Sequence, residues 1–231
     1  MTTILITGAA RGIGYELAKQ YAEAGDRVYA TTRNPDSARQ LNALAAASDG
    51  RLTVHRMDVG DAASVKACAK ALNGAPIDVL INNAGVWGGL DTQTFQNMDY
   101  ENWAYEFNVM AMGPFRVIQE LLPNVLAGEQ RKIVTMSSQV AAHVYDHVIG
   151  YSYASAKAAV NRLMTALATE LEDQGVIVVP MHPGWVKTEM AGDVADIEPA
   201  ESAEGVRQVI AGMKLADSGK FLKWTGDVHP W

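Results

Sequence analysis

The chain has 231 residues, of which 48% are hydrophobic, and its formal net charge is −7. This acidic balance argues against nucleic acid or an anionic membrane as the main partner. No apolar run reaches the ~18 residues of a membrane span, and a strand predicted almost at Met1 leaves no room for a signal peptide. The single cysteine, Cys68, excludes an internal disulfide and fits a cytoplasmic protein. The histidines do not pair with Cys or carboxylates at metal-binding spacing, so no metal site is expected.

The N-terminal stretch predicts a strand, a glycine turn and a helix in that order. Ile4 to Ile6 is an apolar run, and the small-residue turn from Gly8 to Gly14 follows it. Ile13, Leu17 and Tyr21 are four residues apart, which places them on one face of a helix. An ordinary strand-to-helix turn is the alternative to a ligand site here.

The glycines of this turn favour a site for a phosphate. The first N–H groups of a helix lack partners and lie at the positive end of its dipole, so they attract anions. We expect Gly8 to take the tight turn and Gly12 to let a pyrophosphate approach the backbone. Gly14 would let the helix lie close to the strand.

Strand and helix patterns alternate along the rest of the chain. After the first helix ends at Gly25, strands are predicted at 27–32, 52–57, 77–82, 133–137, 176–179 and 221–224. The helices between them are predicted from 34–37 onward and at 61–72, 99–122, 155–173 and 202–213, with Pro114 and Pro123 expected to bend or stop the third of these. Apolar strands that alternate with helices predict an α/β fold with a parallel sheet buried on both faces.

Polar and glycine residues follow successive strands, where a parallel sheet binds ligands. They are Thr32 and Arg33, then Asp58 and Val59, then Asn82 to Gly85, then Ser137 and Ser138, and finally Pro183, Gly184 and Thr188. A bound dinucleotide would need such residues at these strand ends.

Tyr153 and Lys157 are the candidate catalytic pair. They are four residues apart at the start of a predicted helix and therefore share one face. A free phenol has a pKa of about 10, and a neighbouring ammonium is expected to lower it. Tyr153 would then act as a general acid or base, and Lys157 would also bind ribose hydroxyls. The alternative is an exposed Tyr/Lys pair on a helix surface.

Together these motifs resemble the short-chain dehydrogenase/reductase family along the whole chain. The residues that carry the resemblance are Thr7-Gly8-x-x-x-Gly12-x-Gly14, Asn82-Asn83-Ala84-Gly85, Ser138, Tyr153-x-x-x-Lys157 and Pro183-Gly184. The C-terminal run Gly219-Lys220-Phe221-Leu222, with Gly226, Pro230 and Trp231, is similar to the C-factor and sniffer-type carbonyl reductase branch. The resemblance implies a single Rossmann-like domain over residues 1–231, with a doubly wound seven-stranded sheet.

The resemblance also implies residue roles in a transfer of hydride between a nicotinamide and a carbonyl/alcohol pair. Tyr153 would protonate the carbonyl oxygen, Ser138 would hydrogen-bond it, and Asn108 would hold a water in a proton relay. Asn108 as a helix cap or kink and Thr188 as a plain loop residue remain alternatives. The implied cofactor contacts are Gly8, Arg11, Gly12, Ile13, Gly14, Arg33, Asp58, Val59, Asn82, Ala84, Gly85, Tyr153, Lys157, Pro183, Gly184, Val186 and Thr188.

Ser138 departs from the family pattern in its distance from Tyr153. The family serine stands two residues closer to the tyrosine, which an insertion within 143–148 would explain, with Ser137 as the alternative. The side chains expected to line the substrate mouth are Trp87, Gln139, Tyr145, Trp185 and Met190, although ordinary packing also accounts for such aromatics.

The end of the second strand predicts a preference for NADP(H). An NAD site needs an acidic residue about 20 residues beyond the glycine turn, but Thr31-Thr32-Arg33 occupies this position. The guanidinium of Arg33 suits a 2′-phosphate, and Arg11 would bring a second cation. Both arginines could instead be solvated surface charges.

Apolar residues on the helices at 99–122 and 155–173 extend beyond one stripe and predict a homodimer or homotetramer. They are Val109, Met110, Met112, Phe115, Val117, Val160, Leu163, Met164 and Leu167. A nucleotide-binding signalling protein with incidental turnover is the alternative function that the C-factor resemblance allows. A purely structural module would leave the glycines and the polar strand ends unexplained.

Overall fold

The computed structural model describes residues 1–147, 149–192 and 194–231. Within them, seven strands form one parallel sheet in the order β3-β2-β1-β4-β5-β6-β7. The strands are β1 Thr3–Ile6, β2 Arg27–Thr32, β3 Leu52–Arg56, β4 Val79–Asn82, β5 Lys132–Met136, β6 Ile177–His182 and β7 Leu222–Lys223. The order reverses direction beside β1, which places a switch point between β1 and β4.

Helices cover both faces of this sheet. They are α1 Gly12–Glu23, α2 Arg39–Ala46, α3 Ala62–Leu72, α4 Tyr100–Phe107, α5 Gly113–Ala127, α6 Tyr151–Glu170 and α7 Pro199–Gly212. Ile4 and Ile6 face one core with α1, α2 and α7, whereas Leu5 between them faces the other core with α3, α5 and α6. The α/β fold with a doubly wound parallel sheet is therefore confirmed. No helix in the described part of the chain is long and apolar enough to cross a bilayer.

The helix predicted at 99–122 consists of three pieces. α4 runs into a π-helical turn, Asn108–Met112, and α5 follows without a break and ends at Ala127. Pro114 lies in the first turn of α5, directly after the π-helical turn. Pro123 does not stop the helix, because the buried residues Leu121 and Val125 continue the packed stripe on both of its sides.

α6 begins at Tyr151, four residues before the predicted start at Ser155. The backbone N–H of Tyr151 donates to the carbonyl of Gln93, and the N–H of Tyr153 donates to the side chain of Gln93. The cap therefore comes from a residue far away in the sequence, and no local signal reveals it.

Candidate active site

An open cleft of about 1320 Å³ lies at the carboxyl ends of the central strands. Fourteen of the predicted site residues line it, and they are Gly8, Arg11, Gly12, Ile13, Gly14, Arg33, Asp58, Val59, Ala84, Gly85, Tyr153, Lys157, Pro183 and Thr188. Asn82, Asn108, Ser138, Gly184 and Val186 are not part of its lining. The strand ends that the sequence singles out thus meet at one cleft.

The glycine turn packs tightly against the end of β4. Gly8 has a φ of +67°, and a Cβ on it would lie 2.8 Å from the Cα of Ala84. A Cβ on Gly14 would lie 2.4 Å from both the carbonyl oxygen of Gly8 and Nδ2 of Asn83. Side chains at these two positions would push the turn away from the sheet.

The N-terminus of α1 opens onto the cleft without a side-chain cap. Arg11 precedes the helix in an extended conformation, and no side chain hydrogen-bonds to the first turn. The unpaired N–H groups of a helix N-terminus suit a phosphate. The geometry of this turn therefore fits the pyrophosphate of a dinucleotide.

Asn83 holds this turn in place, although the sequence reasoning chose its neighbour Asn82. Nδ2 of Asn83 donates to the carbonyls of Thr7 at 3.0 Å and Gly8 at 3.1 Å. The hydroxyl of Thr7 accepts in return from the backbone N–H groups of Asn83 and Ala84. Asn82 is buried instead, with its Nδ2 3.4 Å from Oγ1 of Thr135. Strand alternation does not separate the two asparagines, because both faces of β4 are buried.

Two arginines flank the cleft where β2 and β3 end. Arg33 donates from Nη1 to the hydroxyl of Tyr105 at 2.7 Å. Arg56 also lines the cleft, and the parallel register places it beside Thr32, next to Arg33. The sequence reasoning missed Arg56, because its position depends on the pairing of two strands. Arg11 forms an exposed ion pair with Glu189 across the cleft.

Asp58 and Val59 lie in the loop that follows β3. Oδ1 of Asp58 accepts from the backbone N–H of Gly60 at 2.9 Å, which closes a tight turn. Val59 is buried and contacts α5 closely, since a Cβ on Gly113 would lie 3.1 Å from its Cγ2. Both residues line the cleft at the position expected for an adenine.

Tyr153 lies in the first turn of α6, at the inner end of the cleft. Its ring meets the ring of Trp87 edge-on, with 5.1 Å between the centroids. Burial raises the pKa of Tyr153 to about 12, a hydrogen bond with Ser138 opposes the shift, and the negative charge of Glu106 adds to it. The phenol is therefore protonated at neutral pH.

Lys157 is buried behind Tyr153. Its Nζ donates to the carbonyl of Met136 at 2.7 Å and lies 5.6 Å from the centroid of the Tyr153 ring. Burial lowers the pKa of Lys157 to about 8. The lowering of the Tyr153 pKa by this ammonium stays a prediction, because burial raises that pKa and the group that opposes the rise is Ser138.

Ser138 follows β5, and its hydroxyl opposes the rise in the pKa of Tyr153. Its hydroxyl also accepts from the backbone N–H of Val140 at 3.4 Å, at the start of a short 3₁₀ turn. The hydroxyl of Ser137 is buried and has no partner among the described residues. Ser137 lines the cleft and Ser138 does not, so the choice of Ser138 over Ser137 stays a prediction.

Asn108 stands at the start of the π-helical turn. Its Nδ2 donates to the carbonyl of Gly60 at 3.0 Å, and its Oδ1 accepts from Nη2 of Arg116 at 2.5 Å. The Nδ2 end therefore ties the π-helical turn to the loop after β3, and the Oδ1 end ties it to α5. The place of Asn108 in a proton relay stays a prediction.

The remaining predicted residues lie in the loops after β5 and β6, and of them Thr188 and Met190 line the cleft whereas Trp185 and Tyr145 do not. Thr188 closes a small loop, since its Oγ1 accepts from the N–H of Ala191 at 3.4 Å. Met190 lines the cleft, and Trp185 is 45% exposed. In the predicted insertion, residues 143–147 form a mainly exposed loop, whereas Val148 lies outside the described residues. The rings of Tyr145 and His147 meet within this loop.

Comparisons with known proteins identify the family to which this chain belongs. The family model described as short chain dehydrogenase matches residues 2–199. The chain belongs to the short-chain dehydrogenase family. This family assignment is consistent with the arrangement of the glycine turn, Ser138, Tyr153 and Lys157. As a short-chain dehydrogenase, the chain is an oxidoreductase that acts on alcohol and carbonyl groups with a nicotinamide cofactor.

Three similar proteins support the assignment to the short-chain dehydrogenases. C-signal of Myxococcus xanthus is 36% identical over 160 residues, which cover 68% of this chain and 93% of that protein. The NADPH-bound carbonyl reductase from chicken fatty liver has a TM-score of 0.91 at 30% identity and covers 100% of this chain and 99% of its own. The carbonyl reductase Sniffer of D. melanogaster has a TM-score of 0.91 at 25% identity, with 100% of both chains covered. The resemblance to the C-factor and sniffer-type branch is confirmed.

Proposed function

We propose that the protein is an NADP(H)-dependent carbonyl reductase in which Tyr153 is the general acid. The observation that carries this proposal is the position of Tyr153 in the cleft, with buried Lys157 one helical turn behind it and its Nζ 5.6 Å from the centroid of the Tyr153 ring. The pKa of about 12 keeps the Tyr153 hydroxyl protonated at neutral pH, so the proton is available for a carbonyl oxygen.

Each polar group at this end of the cleft has a task in the proposed reaction. The Ser138 hydroxyl donates to the carbonyl oxygen and stabilises the negative charge that develops there. Tyr153 gives its proton to the same oxygen. Lys157 donates one hydrogen bond to the carbonyl of Met136, which leaves two N–H donors for ribose hydroxyls. When bound, the nicotinamide supplies the hydride.

The opposite end of the cleft supports NADP(H) over NAD(H). The uncapped start of α1 would hold the pyrophosphate, and Asp58 and Val59 would frame the adenine. Arg33 and Arg56 line the place where the 2′-phosphate would lie, and no acidic residue ends β2. The carbonyl reductase from chicken fatty liver is described as NADPH-bound.

The proposal is tested by NADPH consumption with carbonyl probes. We expect the purified protein to oxidise NADPH in the presence of 4-nitrobenzaldehyde or 1-phenyl-1,2-propanedione. Fluorescence titration should show tighter binding of NADPH than of NADH. Absence of turnover with every carbonyl, together with intact NADPH binding, would reject the reductase and support the signalling alternative. The similarity to C-signal is the observation that favours that alternative.

We also propose a cytoplasmic homodimer or homotetramer that associates through α4, α5 and α6. Of the nine apolar residues that suggested it, Val109, Met110, Val117, Val160, Met164 and Leu167 are buried within the chain. The apolar surface that supports the proposal consists of Met112 and Tyr105, at 45% and 42% exposure, with partly buried Phe115 and Leu163 beside them. Sedimentation at micromolar concentration should show a dimer or tetramer, and a monomer would contradict it.

A further inference from the structure

Glu106 is a fully buried carboxylate that the proposed reaction does not use. It lies in α4 with 0% exposure. Its Oε1 accepts from the N–H of Gly88 at 2.6 Å and from Nε2 of Gln93 at 3.2 Å, and its Oε2 accepts from the hydroxyl of Ser152 at 2.6 Å. Burial of a charge is costly unless hydrogen bonds compensate for it, and these three donors do so.

Gln93 carries this network to the backbone of Tyr153. Gln93 is 2% exposed, and its Nε2 is engaged by Glu106. Its Oε1 therefore points the other way and accepts from the N–H of Tyr153 at 3.1 Å. Its own carbonyl accepts from the N–H of Tyr151 at 3.3 Å.

The first turn of α6 depends on these contacts, because it lacks a cap of its own. Gly150 precedes the helix, and no side-chain hydrogen bond caps it there. A Cβ at Gly150 would lie 2.5 Å from Oε1 of Gln93, so the glycine permits the close approach. The negative charge of Glu106 also lies near the positive end of the α6 dipole, where it is favourable.

We propose that Glu106 and Gln93 are positioning residues for Tyr153, because they hold the first turn of α6 and thereby the place of the phenol in the cleft. This inference rests on the proposed function of Tyr153 as the proton donor. The charged groups that face Tyr153 are Lys157 from α6 and Glu106 from α4. Glu106 acts through the backbone of Tyr153 and through its charge, and it does not touch the substrate.

The test compares Glu106→Ala, Glu106→Gln and Gln93→Ala with the wild type in NADPH-dependent reduction of 4-nitrobenzaldehyde. Glu106→Ala should lower kcat about 100-fold, because small displacements of a reacting group are costly. Glu106→Gln keeps the Oε1 acceptor and should stay within about fivefold of the wild type, whereas Gln93→Ala should lose about tenfold. The dissociation constant for NADPH should stay within about twofold in all variants. Glu101→Gln, an exposed position on the same helix, is the control and should leave kcat unchanged.

The pH profile separates positioning from a purely structural role. Removal of the Glu106 charge lowers the pKa of Tyr153, so the alkaline limb of kcat in Glu106→Gln should move to lower pH.

Should Glu106→Ala not fold, Gln93→Ala and Glu106→Gln decide the matter. A kcat within about twofold of the wild type in Gln93→Ala, with an unshifted alkaline limb in Glu106→Gln, overturns the positioning role alone. A wild type that reduces no carbonyl rejects the proposed function and this inference together.

Discussion

The two ends of the cleft hold their charged groups in opposite surroundings. At the outer end the cations are exposed, and the side chains of Arg11 and its partner Glu189 are 69% and 72% accessible. At the inner end Lys157 and Glu106 are 5% and 0% accessible. Burial shifts the pKa of Lys157 to about 8 and that of Tyr153 to about 12.

This difference separates recognition of the cofactor at the outer end from proton transfer at the inner end. Exposed guanidinium groups bind a phosphate through charge and charge-assisted hydrogen bonds, and salt screens the charge attraction. Buried groups are desolvated, so their proton affinities change and their hydrogen bonds must be complete. We therefore expect changes at the outer end to alter which cofactor binds, and changes at the inner end to alter proton transfer.

The largest expected effect is that of Tyr153→Phe at the inner end. The variant keeps the ring that contacts Trp87 and loses only the hydroxyl. Turnover should fall at least about 100-fold, the usual contribution of a general acid. The dissociation constant for NADPH should change less than about twofold. Tyr151→Phe, in the same helical turn but 42% exposed, is the matched control. Retention of more than about a tenth of the wild-type rate, a loss below about 1.4 kcal/mol, would remove Tyr153 from its role.

The second prediction concerns His182, which is buried at the end of β6 beside Ser138. Its Nδ1 accepts from the N–H of Gln139 at 3.3 Å. Burial, then the charges of His229 and Lys223, lower the pKa of His182 from 6.5 to about 4. The folded state thus binds fewer protons than the unfolded state between these values, so stability is full above pH 6.5 and is lost as pH falls toward 4.

The loss should amount to about 3 kcal/mol in the free energy of unfolding. Urea denaturation of the wild type across this pH range measures it. His182→Asn keeps an acceptor for the Gln139 N–H but does not titrate, so its stability should depend less on pH. An equally steep loss in the variant would contradict the assignment.

At the outer end, Arg33→Ala should raise the dissociation constant for NADPH about 10- to 100-fold, since a charge-assisted hydrogen bond contributes roughly 1.5–3 kcal/mol. NADH lacks the 2′-phosphate and should bind almost as before. Fluorescence titration of both cofactors measures the difference. Arg27→Ala, at the opposite end of the same strand, is the control and should affect neither. Equal weakening of NADPH and NADH, or a wild type that prefers NADH, would overturn the NADP(H) assignment.

The smallest effect should come from salt. A rise from about 0.05 to 0.5 M salt should weaken NADPH binding severalfold through screening of Arg33 and Arg11. At saturating NADPH, kcat should change less than about twofold, because the groups at the inner end are buried. Steady-state kinetics at several salt concentrations checks both. A kcat that falls as steeply as the affinity would show that the two ends are not separate.

Local spacing was sufficient to predict much of the cleft. The glycine turn and the Tyr153–Lys157 pair are each confined to a few residues, and one strand or one helical turn brings their members together. The apolar strands likewise predict their own burial, so the sheet could be derived. Helix ends were less predictable, since Pro123 is overridden by packing and α6 is capped by Gln93.

The features that the sequence did not reveal depend on contacts between distant segments. Asn83 acts on the turn at Thr7 and Gly8, and Arg56 reaches the cleft through the register of β2 and β3. Glu106 lies in a helix whose pattern shows only one more acidic residue. The hydrogen-bond donors to Glu106 come from two other segments of the chain. Neither the spacing nor the composition of its own helix predicts these contacts.

The π-helical turn at Asn108–Met112 changes the phase of a continuous helix. One extra residue in a helical turn rotates everything beyond it by about 100°. α4 can therefore direct Glu106 at α6, while α5 directs Ile118 and Leu121 at the sheet. A uniform α-helix through the same residues would satisfy only one of these packings. The loss of a single residue here would thus rotate the α4 carboxylate away from its donors.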